Sequence, residues 1–367
     1  MKEEPSIVLA GGGTAGHINP MLAIAREVRA LAPHAKILTV GTESGMEAQL
    51  VPAAGYEISF IPRVPMPRTP NRAALSFPYN FRKSLRIAER ILREAQADVV
   101  VGVGGYVCTP MYLAANKLRI PVVIHEANAR PGLANKVGAR KAVMVGTAFP
   151  HTPIAKGQHV GMPMRQEIES LDRAIRRQGA RKSLGLEENM PTLVVTGGSL
   201  GAQSLNECVR KIYGHLDEWG FQILHITGRN KALRDESGEL LSAPHYVQRE
   251  FITSMEDVYA AADLLVVRSG AATVSEVAAV GVPAIFVPLP IGNGEQALNA
   301  RSLVDAQAGL LIKDDDFTAS WFTNNIPSLM KDTQRLKHMA QRSAEQGIRN
   351  AAEVMAREVL KVAENND

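Results

Sequence analysis

The stretch "IVLAGGGTAGHINP" (residues 7–20) indicates the fold class, because a β-branched run is followed by glycines and then by small residues that can open a helix. Gly11, Gly13 and Gly16 have the spacing G-x-G-x-x-G, typical of the first strand–helix turn of a Rossmann-like domain. The spacing alone is weak evidence for a dinucleotide. Such a fold should also have an acidic residue at the end of its second strand, and here Glu43 comes late.

The pattern of strand, glycine turn and helix repeats along the whole chain. The predicted strands are "SIVLA", "KILTV", "EISFI", "DVVVGV", "PVVIHE" and "KAVMVG", then "TLVVT", "FQILHIT", "HYVQREFI", "DLLVV", "AIFVP" and "GLLI". Strands that alternate with helices predict parallel sheets covered on both faces. We therefore predict an α/β protein with two Rossmann-like, doubly wound domains that face each other across a cleft. The predicted domains are residues 1–163 and 164–346, followed by a helix at 347–367.

Composition is compatible with two domains. The chain has 367 residues, of which 46% are hydrophobic and 21% charged, as in a well-cored globular protein. Its two cysteines, Cys108 and Cys208, lie in unrelated contexts, so we expect no disulfide and a reducing compartment. A net charge of +4 is too small to imply nucleic acid as a partner. We predict no signal peptide after "MKEEPS" and no membrane span in the uncharged run 99–116.

Ligands of such sheets bind at the carboxyl ends of the strands, where helix N-termini favour anions. His17 is unusual there, because it falls in the first turn of the predicted helix. The positive end of the helix dipole disfavours protonation, so the imidazole should stay neutral and could act as a general base. A helix cap or a satisfied buried histidine is an equally good interpretation from these residues alone.

Three segments in the second half carry further signals. In "RSGAATVSE" (268–276), small residues open a helix without obstructing a diphosphate, and Glu276 lies one turn on, where it could bind a ribose diol; an ordinary first-turn carboxylate is the alternative. "GEQALNA" (294–300) offers polar side chains for sugar hydroxyls. "KDDDF" (313–317) matches the Asp-x-Asp of metal-dependent glycosyltransferases, but we interpret it as a cap for the next helix.

Taken together, ordered motifs resemble one family along nearly the whole chain. They are "GGGTAGH" (11–17), "GVGGY" (102–106), "HEAN" (125–128), "GMPMR" (161–165), "GGSLGAQSLN" (197–206), "RSGAATVSE" (268–276) and "EQALNA" (295–300). The family is that of the bacterial lipid II-forming N-acetylglucosaminyltransferases, which have the GT-B fold. The resemblance implies inverting transfer of N-acetylglucosamine from UDP-N-acetylglucosamine to the 4-hydroxyl of undecaprenyl-pyrophosphoryl-N-acetylmuramyl-pentapeptide (lipid I). That reaction belongs to peptidoglycan synthesis, and so to cell-wall biogenesis, cell shape and cell division.

The resemblance also implies roles for individual residues. The first domain would bind lipid I and the membrane, the second would bind the donor, and the last helix would return to the first domain. His17 would be the catalytic base, with Glu126 as a second candidate. The acceptor diphosphate would meet Gly13, Gly104, Gly105 and Tyr106. The donor-binding set would be Thr14, Ala15, Gly16, Asn128, Arg165, Ser199, Ile252, Ala271, Ala272, Thr273, Glu276, Glu295, Gln296 and Asn299. Glu295 is the least regular of these, since many members have Gln or His at that position.

A basic, aromatic segment at residues 63–93 suits an anionic membrane surface. It contains eight Lys or Arg and only one acidic residue, Glu89. Without the resemblance, a solvated helix face over core aromatics would be the better interpretation; with it, we predict peripheral binding at the cytoplasmic face of the cell membrane. The predicted membrane-binding residues are Leu75, Phe77, Tyr79, Phe81, Arg82, Lys83 and Arg86.

Other functions remain open at this point. A related enzyme with another lipid acceptor, such as a diacylglycerol glucosyltransferase, or a UDP-sugar 2-epimerase would share the fold, and an NAD(P)-dependent oxidoreductase would explain the first glycines. The expected partners are UDP-N-acetylglucosamine, lipid I, the anionic inner-membrane surface and proteins of cell-wall synthesis, with no nucleic acid. We expect no required cofactor and no structural metal; the sequence leaves stimulation by divalent ions undecided.

Overall fold

The computed structural model describes residues 4–65, 72–198, 201–291 and 294–365, with only the backbone for residues 72–75. The chain divides into two compact units. The first unit comprises Met1–Arg165 and Ile348–Asp367, and the second comprises Gln166–Gly347. The predicted boundaries lay at 163/164 and 346/347, within two residues of this division.

The first unit contains a parallel sheet of seven strands in the order β3-β2-β1-β4-β5-β6-β7. The strands are β1 Ser6–Ala10, β2 Lys36–Gly41, β3 Glu57–Phe60, β4 Val99–Gly102, β5 Val122–Glu126, β6 Met144–Thr147 and β7 Gly157–His159. The helices are α1 Ala15–Leu31, α2 Glu47–Ala53, α3 Arg72–Glu94, α4 Cys108–Leu118, α5 Leu133–Ala139 and, from the C-terminus, α14 Ala351–Glu364. Strand order reverses between β1 and β4, and ligands of doubly wound sheets bind at that point.

The central strands of this sheet are buried on both faces, which explains why their sequences are unbroken runs of apolar residues. Every residue of β1 and β4 is buried. The edge strand β7 was not predicted, since its three residues are exposed and carry no apolar signal. Helix α1 contains Pro20 as its sixth residue, so the hydrogen bond that an N–H there would donate to the Gly16 carbonyl is missing.

The C-terminal helix belongs to the core of the first unit. Met355, Ala356 and Val359 of α14 pack in one apolar cluster with residues of β1 and α1. Burying a Met or Val side chain stabilises a fold by roughly 1.5–3 kcal/mol. We therefore regard α14 as an integral element of the first unit.

The second unit contains a parallel sheet of six strands in the order β10-β9-β8-β11-β12-β13. Its strands are β8 Thr192–Thr196, β9 Gln222–Ile226, β10 Tyr246–Arg249, β11 Leu264–Val267, β12 Ala284–Phe286 and β13 Gly309–Leu311. Its helices are α6 Gln166–Glu169, α7 Arg173–Leu184, α8 Gln203–Ile212, α9 Met255–Ala261, α10 Ala271–Val280, α11 Glu295–Asp305, α12 Ala319–Lys331 and α13 Thr333–Glu345. The reversal here falls between β8 and β11, so the loops after these strands frame the corresponding ligand position.

Three arginines of α7 connect this helix to the C-terminal end of α9 near the start of the second unit. Arg173, Arg177 and Arg181 project from α7 toward the C-terminal end of α9, where they donate to main-chain carbonyls and, in two cases, to Asp263. The last carbonyls of a helix have no intrahelical partner, so these guanidinium groups satisfy them. The helix pair α7–α9 is therefore held by polar contacts as well as by packing.

Candidate active site

Two glycine loops meet in the first unit beside the β1–β4 reversal. We call residues 11–16 the first glycine loop and residues 102–106 the second glycine loop. Gly104 and Gly105 have φ values of +108° and +96°, which L-residues with a side chain rarely adopt. A Cβ on Gly105 would also lie 2.6 Å from the Gly12 carbonyl oxygen. Both glycines are therefore needed for the close contact between the loops.

His17 lies in the first turn of α1, as predicted. Its Nδ1 is 3.1 Å from the Gly12 carbonyl oxygen, which can only accept a hydrogen bond, so the neutral ring carries its proton on Nδ1. Nε2 has no hydrogen-bond partner among the residues that the structure describes. A Cβ on Gly104 would lie 2.9 Å from Nε2, so the second glycine loop forms one wall of the imidazole site.

The pKa of His17 is lowered from its ordinary value. Burial is the main cause, while the Gly12 hydrogen bond and the negative charges of Glu126 and Glu47 partly oppose it. The neutral state expected from the sequence therefore agrees with the structure, although burial is its largest cause. A neutral ring with Nδ1–H presents the lone pair of Nε2 as a proton acceptor.

Glu126 ends β5 and is almost fully buried. Its carboxylate accepts hydrogen bonds from the Asn128 N–H (2.9 Å), the Gly132 N–H (3.0 Å) and the Asn135 Nδ2 (2.9 Å). These bonds shape the turn after β5 and the start of α5. Both oxygens are thus already engaged by N–H donors, and the geometry favours His17 over Glu126 as the base.

Asn135 was not identified from the sequence. Its Oδ1 accepts from the Tyr112 hydroxyl (2.8 Å), and its Nδ2 donates to Glu126, so it connects α4 to the carboxylate. The Tyr112 ring is fully buried and occupies space that a Cβ on Gly102 or Gly138 would fill. No local pattern marks this triad, because its members come from separate elements.

Glu47 is a second buried carboxylate that the sequence did not reveal. It accepts from the Gly13 N–H (2.9 Å), the Thr42 N–H (2.9 Å) and the Thr42 hydroxyl (2.8 Å). In this structure the Gly13 N–H is therefore already engaged, so the predicted acceptor-diphosphate contact of Gly13 cannot use that donor here. Glu43 was considered at the end of β2, whereas the buried acid is the one four residues later.

A cavity of about 120 Å³ lies beside both glycine loops. Gly12, Gly13, Tyr106 and Arg63 are among its lining residues. The Arg63 guanidinium lies 5.3 Å from the centre of the half-exposed Tyr106 ring, within cation–π distance. Arg63 had been noted only as one cation of the basic segment; the structure places its charge next to a residue predicted to hold the acceptor diphosphate.

The remaining first-unit residues of the predicted donor set are spread along the strand ends. Thr14 precedes α1 without a side-chain cap bond, and Ala15 and Gly16 form its first turn. Asn128 follows β5 and is half-buried, and Arg165 is a half-buried residue at the end of the "GMPMR" segment. The structure places these residues in the first unit and assigns no ligand to them.

In the second unit, the first turn of α10 consists of Ala271, Ala272 and Thr273, as predicted. The side chain of Arg268, which precedes this helix, forms hydrogen bonds within the second unit. It donates to the Val287 and Pro288 carbonyls (3.1 and 3.0 Å), to the Ser204 hydroxyl (2.9 Å) and to Asp314. These hydrogen bonds connect the loop after β11 to the segment after β12, to Ser204 and to Asp314. The residues that follow at the start of α10 are small.

The "KDDDF" segment has a structural role that differs in detail from the prediction. Asp314 pairs with Arg268 and accepts from Ser204 Oγ (2.7 Å). The cap of the following helix α12 is Thr318, whose side chain accepts from the Trp321 N–H. The predicted capping role of the aspartates is therefore wrong. Among the described residues, no group of three or more His, Cys, Asp or Glu is arranged to hold a metal ion.

Glu276 is half-buried in α10, and its Oε2 accepts from the Tyr259 hydroxyl at 2.7 Å. Tyr259 is itself buried and was not identified from the sequence. Ile252 is half-buried next to Phe251, and the Arg229 guanidinium lies 4.2 Å from the Phe251 ring centre. Sequence spacing could not connect these residues, since they follow different strands.

At the start of α11, two side chains form hydrogen bonds to the main chain of neighbouring loops. Gln296 Oε1 accepts from the Leu289 N–H (3.0 Å), and the buried Asn299 donates to the Ser269 carbonyl (3.3 Å). The donor-binding role of Asn299 stays a prediction. Glu295 is the first residue of the helix. Ser199 lies outside the described residues.

Helix α3 carries the predicted membrane-binding residues. Tyr79 is 73% exposed, the half-buried Phe77 and Phe81 rings stack 5.4 Å apart, and the exposed cations of the set are Arg82, Lys83 and Arg86. The Leu75 side chain lies outside the described part of the chain. No helix within the described ranges is both long and apolar enough to cross a membrane.

These features define a class, that of the nucleotide-sugar glycosyltransferases with the GT-B fold. The features are two Rossmann-like units, a neutral histidine beside paired glycine loops, and a carboxylate one turn into a helix of the second unit. Family models agree. The glycosyltransferase family 28 N-terminal domain matches residues 7–147 and the family 28 C-terminal domain matches residues 192–355. The chain belongs to glycosyltransferase family 28, in the group of the UDP-N-acetylglucosamine–N-acetylmuramyl-(pentapeptide) pyrophosphoryl-undecaprenol N-acetylglucosamine transferases.

Individual relatives support this grouping. A transferase of that name from Paenarthrobacter aurescens is 56% identical over 97% of this chain and 96% of its own length. The one from Streptomyces coelicolor is 46% identical over 95% and 96%. The crystal structure of Acinetobacter baumannii MurG superposes with a TM-score of 0.80 and 30% identity, over 97% of this chain and 99% of that one. The family resemblance and the GT-B fold inferred from the motifs are thus confirmed.

Proposed function

We propose that this protein transfers N-acetylglucosamine from UDP-N-acetylglucosamine to the 4-hydroxyl of lipid I, which forms lipid II and releases UDP. The observation that carries the proposal is the 56% identity, over 97% of the chain, to a transferase named for these substrates. The reaction is a single displacement. The acceptor oxygen forms a bond to the anomeric carbon, the bond from that carbon to the UDP oxygen breaks, and the configuration inverts.

His17 is the proposed base of this displacement. The 4-hydroxyl must lose its proton as its oxygen attacks, and the Nε2 lone pair of a neutral imidazole can accept it. The hydrogen bond from Nδ1 to Gly12 holds the ring in the required tautomer. Glu126 contributes a negative charge that favours the imidazolium formed during proton transfer.

The acceptor's diphosphate is assigned to the second glycine loop. Gly104, Gly105 and Tyr106 follow β4 beside the His17 ring. Arg63, stacked against Tyr106, supplies the positive charge that a diphosphate favours. The N-terminus of α1, which begins at Ala15, adds the partial positive charge of a helix end.

The donor's UDP is assigned to the second unit. The first turn of α10, at residues 271–273, has small residues that let a diphosphate approach the helix N-terminus. Glu276 would accept hydrogen bonds from the ribose hydroxyls, and Ile252 would meet the uracil through its backbone. Glu295 and Gln296 would contact the sugar. The rest of the proposed donor set is Thr14, Ala15, Gly16, Asn128, Arg165, Ser199 and Asn299.

We also propose that the protein binds the cytoplasmic face of the cell membrane, where a lipid acceptor is accessible. Helix α3 supports this proposal, because exposed Tyr79 and the cations Arg82, Lys83 and Arg86 lie on one segment. Basic residues next to aromatic side chains suit anionic lipid head groups. Proteins of cell-wall synthesis are the proposed partners at that surface.

Incubation with labelled UDP-N-acetylglucosamine and a short-chain lipid I analogue tests the proposed reaction. The expected product carries one added N-acetylglucosamine in a β-1,4 bond, with one UDP released for each transfer. A parallel sample without acceptor should convert no donor. Conversion of the donor without acceptor would indicate an epimerase, and a folded sample with no transfer would refute the proposal.

A further inference from the structure

Glu47 is an unusual residue within the first unit, because its carboxylate is fully buried and lies directly under the first glycine loop. A Cβ on Gly12, Gly41 or Gly45 would collide with its side chain. Burial tends to raise its pKa, but hydrogen bonds from Gly13 and Thr42 outweigh that effect, and the pKa is lowered overall. The fold thus keeps room for an ionised carboxylate at this position.

One of these hydrogen bonds connects Glu47, through a peptide group, to the proposed base His17. Glu47 Oε2 accepts from the Gly13 N–H at 2.9 Å, and the Gly12 carbonyl oxygen accepts from His17 Nδ1 at 3.1 Å. The Gly12 C=O and the Gly13 N–H belong to the same peptide group. In a trans peptide these two groups point in opposite directions, so Glu47 and His17 bind the two ends of one peptide dipole.

We propose that Glu47 is a positioning residue for the base: through the peptide group that joins Gly12 to Gly13, its carboxylate holds His17 in the tautomer whose Nε2 can accept a proton. The inference rests on the proposed role of His17. Glycines flank this peptide on both sides, and Gly13 has a φ of +91°, so the backbone itself imposes little preference on the peptide's orientation. A buried carboxylate that accepts its N–H selects the orientation in which the carbonyl faces His17.

Electrostatics strengthens the same arrangement. A carboxylate that accepts a peptide N–H polarises that peptide, which makes its carbonyl oxygen a better acceptor for Nδ1–H. As His17 takes a proton, the positive charge on the ring is stabilised by the polarised carbonyl and by the charges of Glu47 and Glu126. The residue acts on the base through the backbone, with no requirement for substrate contact.

Glu47→Gln is the direct test. Glutamine has one acceptor oxygen for three donors, so if it serves the two Thr42 donors, its NH₂ faces the Gly13 N–H. We expect kcat to fall by about 10- to 100-fold, as for other residues that orient a functional histidine. The KM for UDP-N-acetylglucosamine should change little. In histidine-labelled protein, ¹⁵N NMR should show a smaller Nδ1–H tautomer population at His17 than in the wild type.

Thr42→Val is the matched control. It removes the hydroxyl donor to Glu47 but keeps the Gly13 contact, so kcat and the His17 tautomer should stay close to wild type. If Glu47→Gln does not fold, Glu47→Asp serves as a second variant. Its shorter side chain keeps the charge near Thr42 but withdraws it from Gly13, and the same loss is expected.

Two results would overturn the inference. One is a wild-type His17 that carries its proton on Nε2, which needs no variant to observe. The other is a folded Glu47 variant with unchanged kcat and tautomer. Wild-type protein that transfers no sugar would remove the proposed function instead, and the tautomer measurement, which needs no activity, separates the two failures.

Discussion

At the scale of single residues, the two candidate bases differ in what their polar atoms already do. The Glu126 carboxylate accepts hydrogen bonds from three N–H donors around the turn after β5. His17 Nδ1 donates a hydrogen bond to the Gly12 carbonyl oxygen, and Nε2 has no hydrogen-bond partner within the described ranges. A proton acceptor needs a lone pair that substrate can reach, so this difference favours His17 as the proposed base.

His17→Ala should lower kcat by roughly 10²–10⁴-fold, the usual contribution of a general base. Binding of UDP-N-acetylglucosamine, measured by calorimetry, should remain near wild type. Glu126→Gln provides the comparison, since loss of a carboxylate that orders a turn should reduce thermal stability as well as turnover. Unchanged turnover in His17→Ala would transfer the base role to another group, with Glu126 the first to test.

Tyr259 is a further residue whose effect can be isolated. Tyr259→Phe keeps the buried ring but removes the hydroxyl that donates to Glu276. A hydrogen bond to a charged group contributes about 1.5–3 kcal/mol, so we expect the KM for UDP-N-acetylglucosamine to rise by roughly 10- to 100-fold, with kcat little changed. Steady-state kinetics with a donor that lacks the ribose hydroxyls tests the cause, because the penalty should largely disappear.

Tyr213→Phe is a suitable control for that experiment. Tyr213 is a half-buried tyrosine of the same unit, and its ring packs against Tyr246. The same chemical change there should leave donor kinetics unaltered. An equal rise in KM with both variants, or a Tyr259→Phe penalty that persists without ribose hydroxyls, would argue against ribose binding by Glu276.

At the scale of elements, membrane binding was predicted for residues 63–93 from their composition and the family resemblance, and the structure has helix α3 over most of that segment. One face packs against α4, while Tyr79 and the cations of residues 82–86 are exposed. Glu89 is paired with Lys117 of α4, which reduces the effect of the one acidic residue in the basic segment. The element therefore presents positive charge and an aromatic ring together.

Replacing Arg82, Lys83 and Arg86 with glutamine should weaken binding to vesicles that contain phosphatidylglycerol. Each cation near an anionic surface contributes about 1 kcal/mol, so the partition coefficient at low salt should fall by up to about 100-fold. Co-sedimentation at increasing salt checks the mechanism, since the wild-type advantage should shrink as charges are screened.

The matched control replaces three exposed cations elsewhere, Lys331, Arg335 and Lys337, with glutamine. This variant has the same change in net charge on helices α12 and α13 of the second unit. It should bind vesicles nearly as the wild type does. Equal losses in both triple variants would show that overall charge, and not α3, governs membrane binding.

At the scale of the whole molecule, each unit contains a buried histidine whose protonation opposes folding. Burial lowers the pKa of His125 to about 4 and that of His225 to about 3. His225 contacts the Tyr246 hydroxyl and Asn206 Oδ1, and His125 contacts the Gly161 carbonyl oxygen. These rings are neutral in the folded state and titrate near pH 6.5 in an unfolded chain.

Stability should therefore fall as the pH drops from about 6.5 toward 4, because the unfolded chain binds protons that the folded chain does not. Well above pH 6.5, where these histidines are neutral in the unfolded chain too, they contribute no pH dependence. At pH 5 the expected loss in the free energy of unfolding is about 2 kcal/mol for each histidine. Urea unfolding followed by tryptophan fluorescence reports the second unit, since both Trp219 and Trp321 lie there.

His225→Gln should flatten this pH dependence in the second unit, even though the variant is less stable at pH 7. His338→Gln, at an exposed position of the same unit, is the control and should retain the wild-type slope. If His225→Gln keeps the full slope between pH 6.5 and 5, another group is responsible for the loss.

The sequence by itself determined the two parallel sheets and most of their strands, because buried central strands are continuous apolar runs and the glycine turns follow them at fixed spacing. It also determined the family, the position of His17 in a helix turn and the small residues that open α10. These features are local, so a few adjacent residues encode each of them.

Only the tertiary structure decided which distant side chains share a site. Glu47 lies 34 residues from Gly13, Asn135 meets Tyr112 from another helix, and Tyr259 reaches Glu276 from α9. The preference for His17 over Glu126 as the proposed base also depends on hydrogen bonds that spacing does not specify. Strand order and loop packing determine such contacts, since parallel strands bring loops together at one sheet edge whatever their separation along the chain.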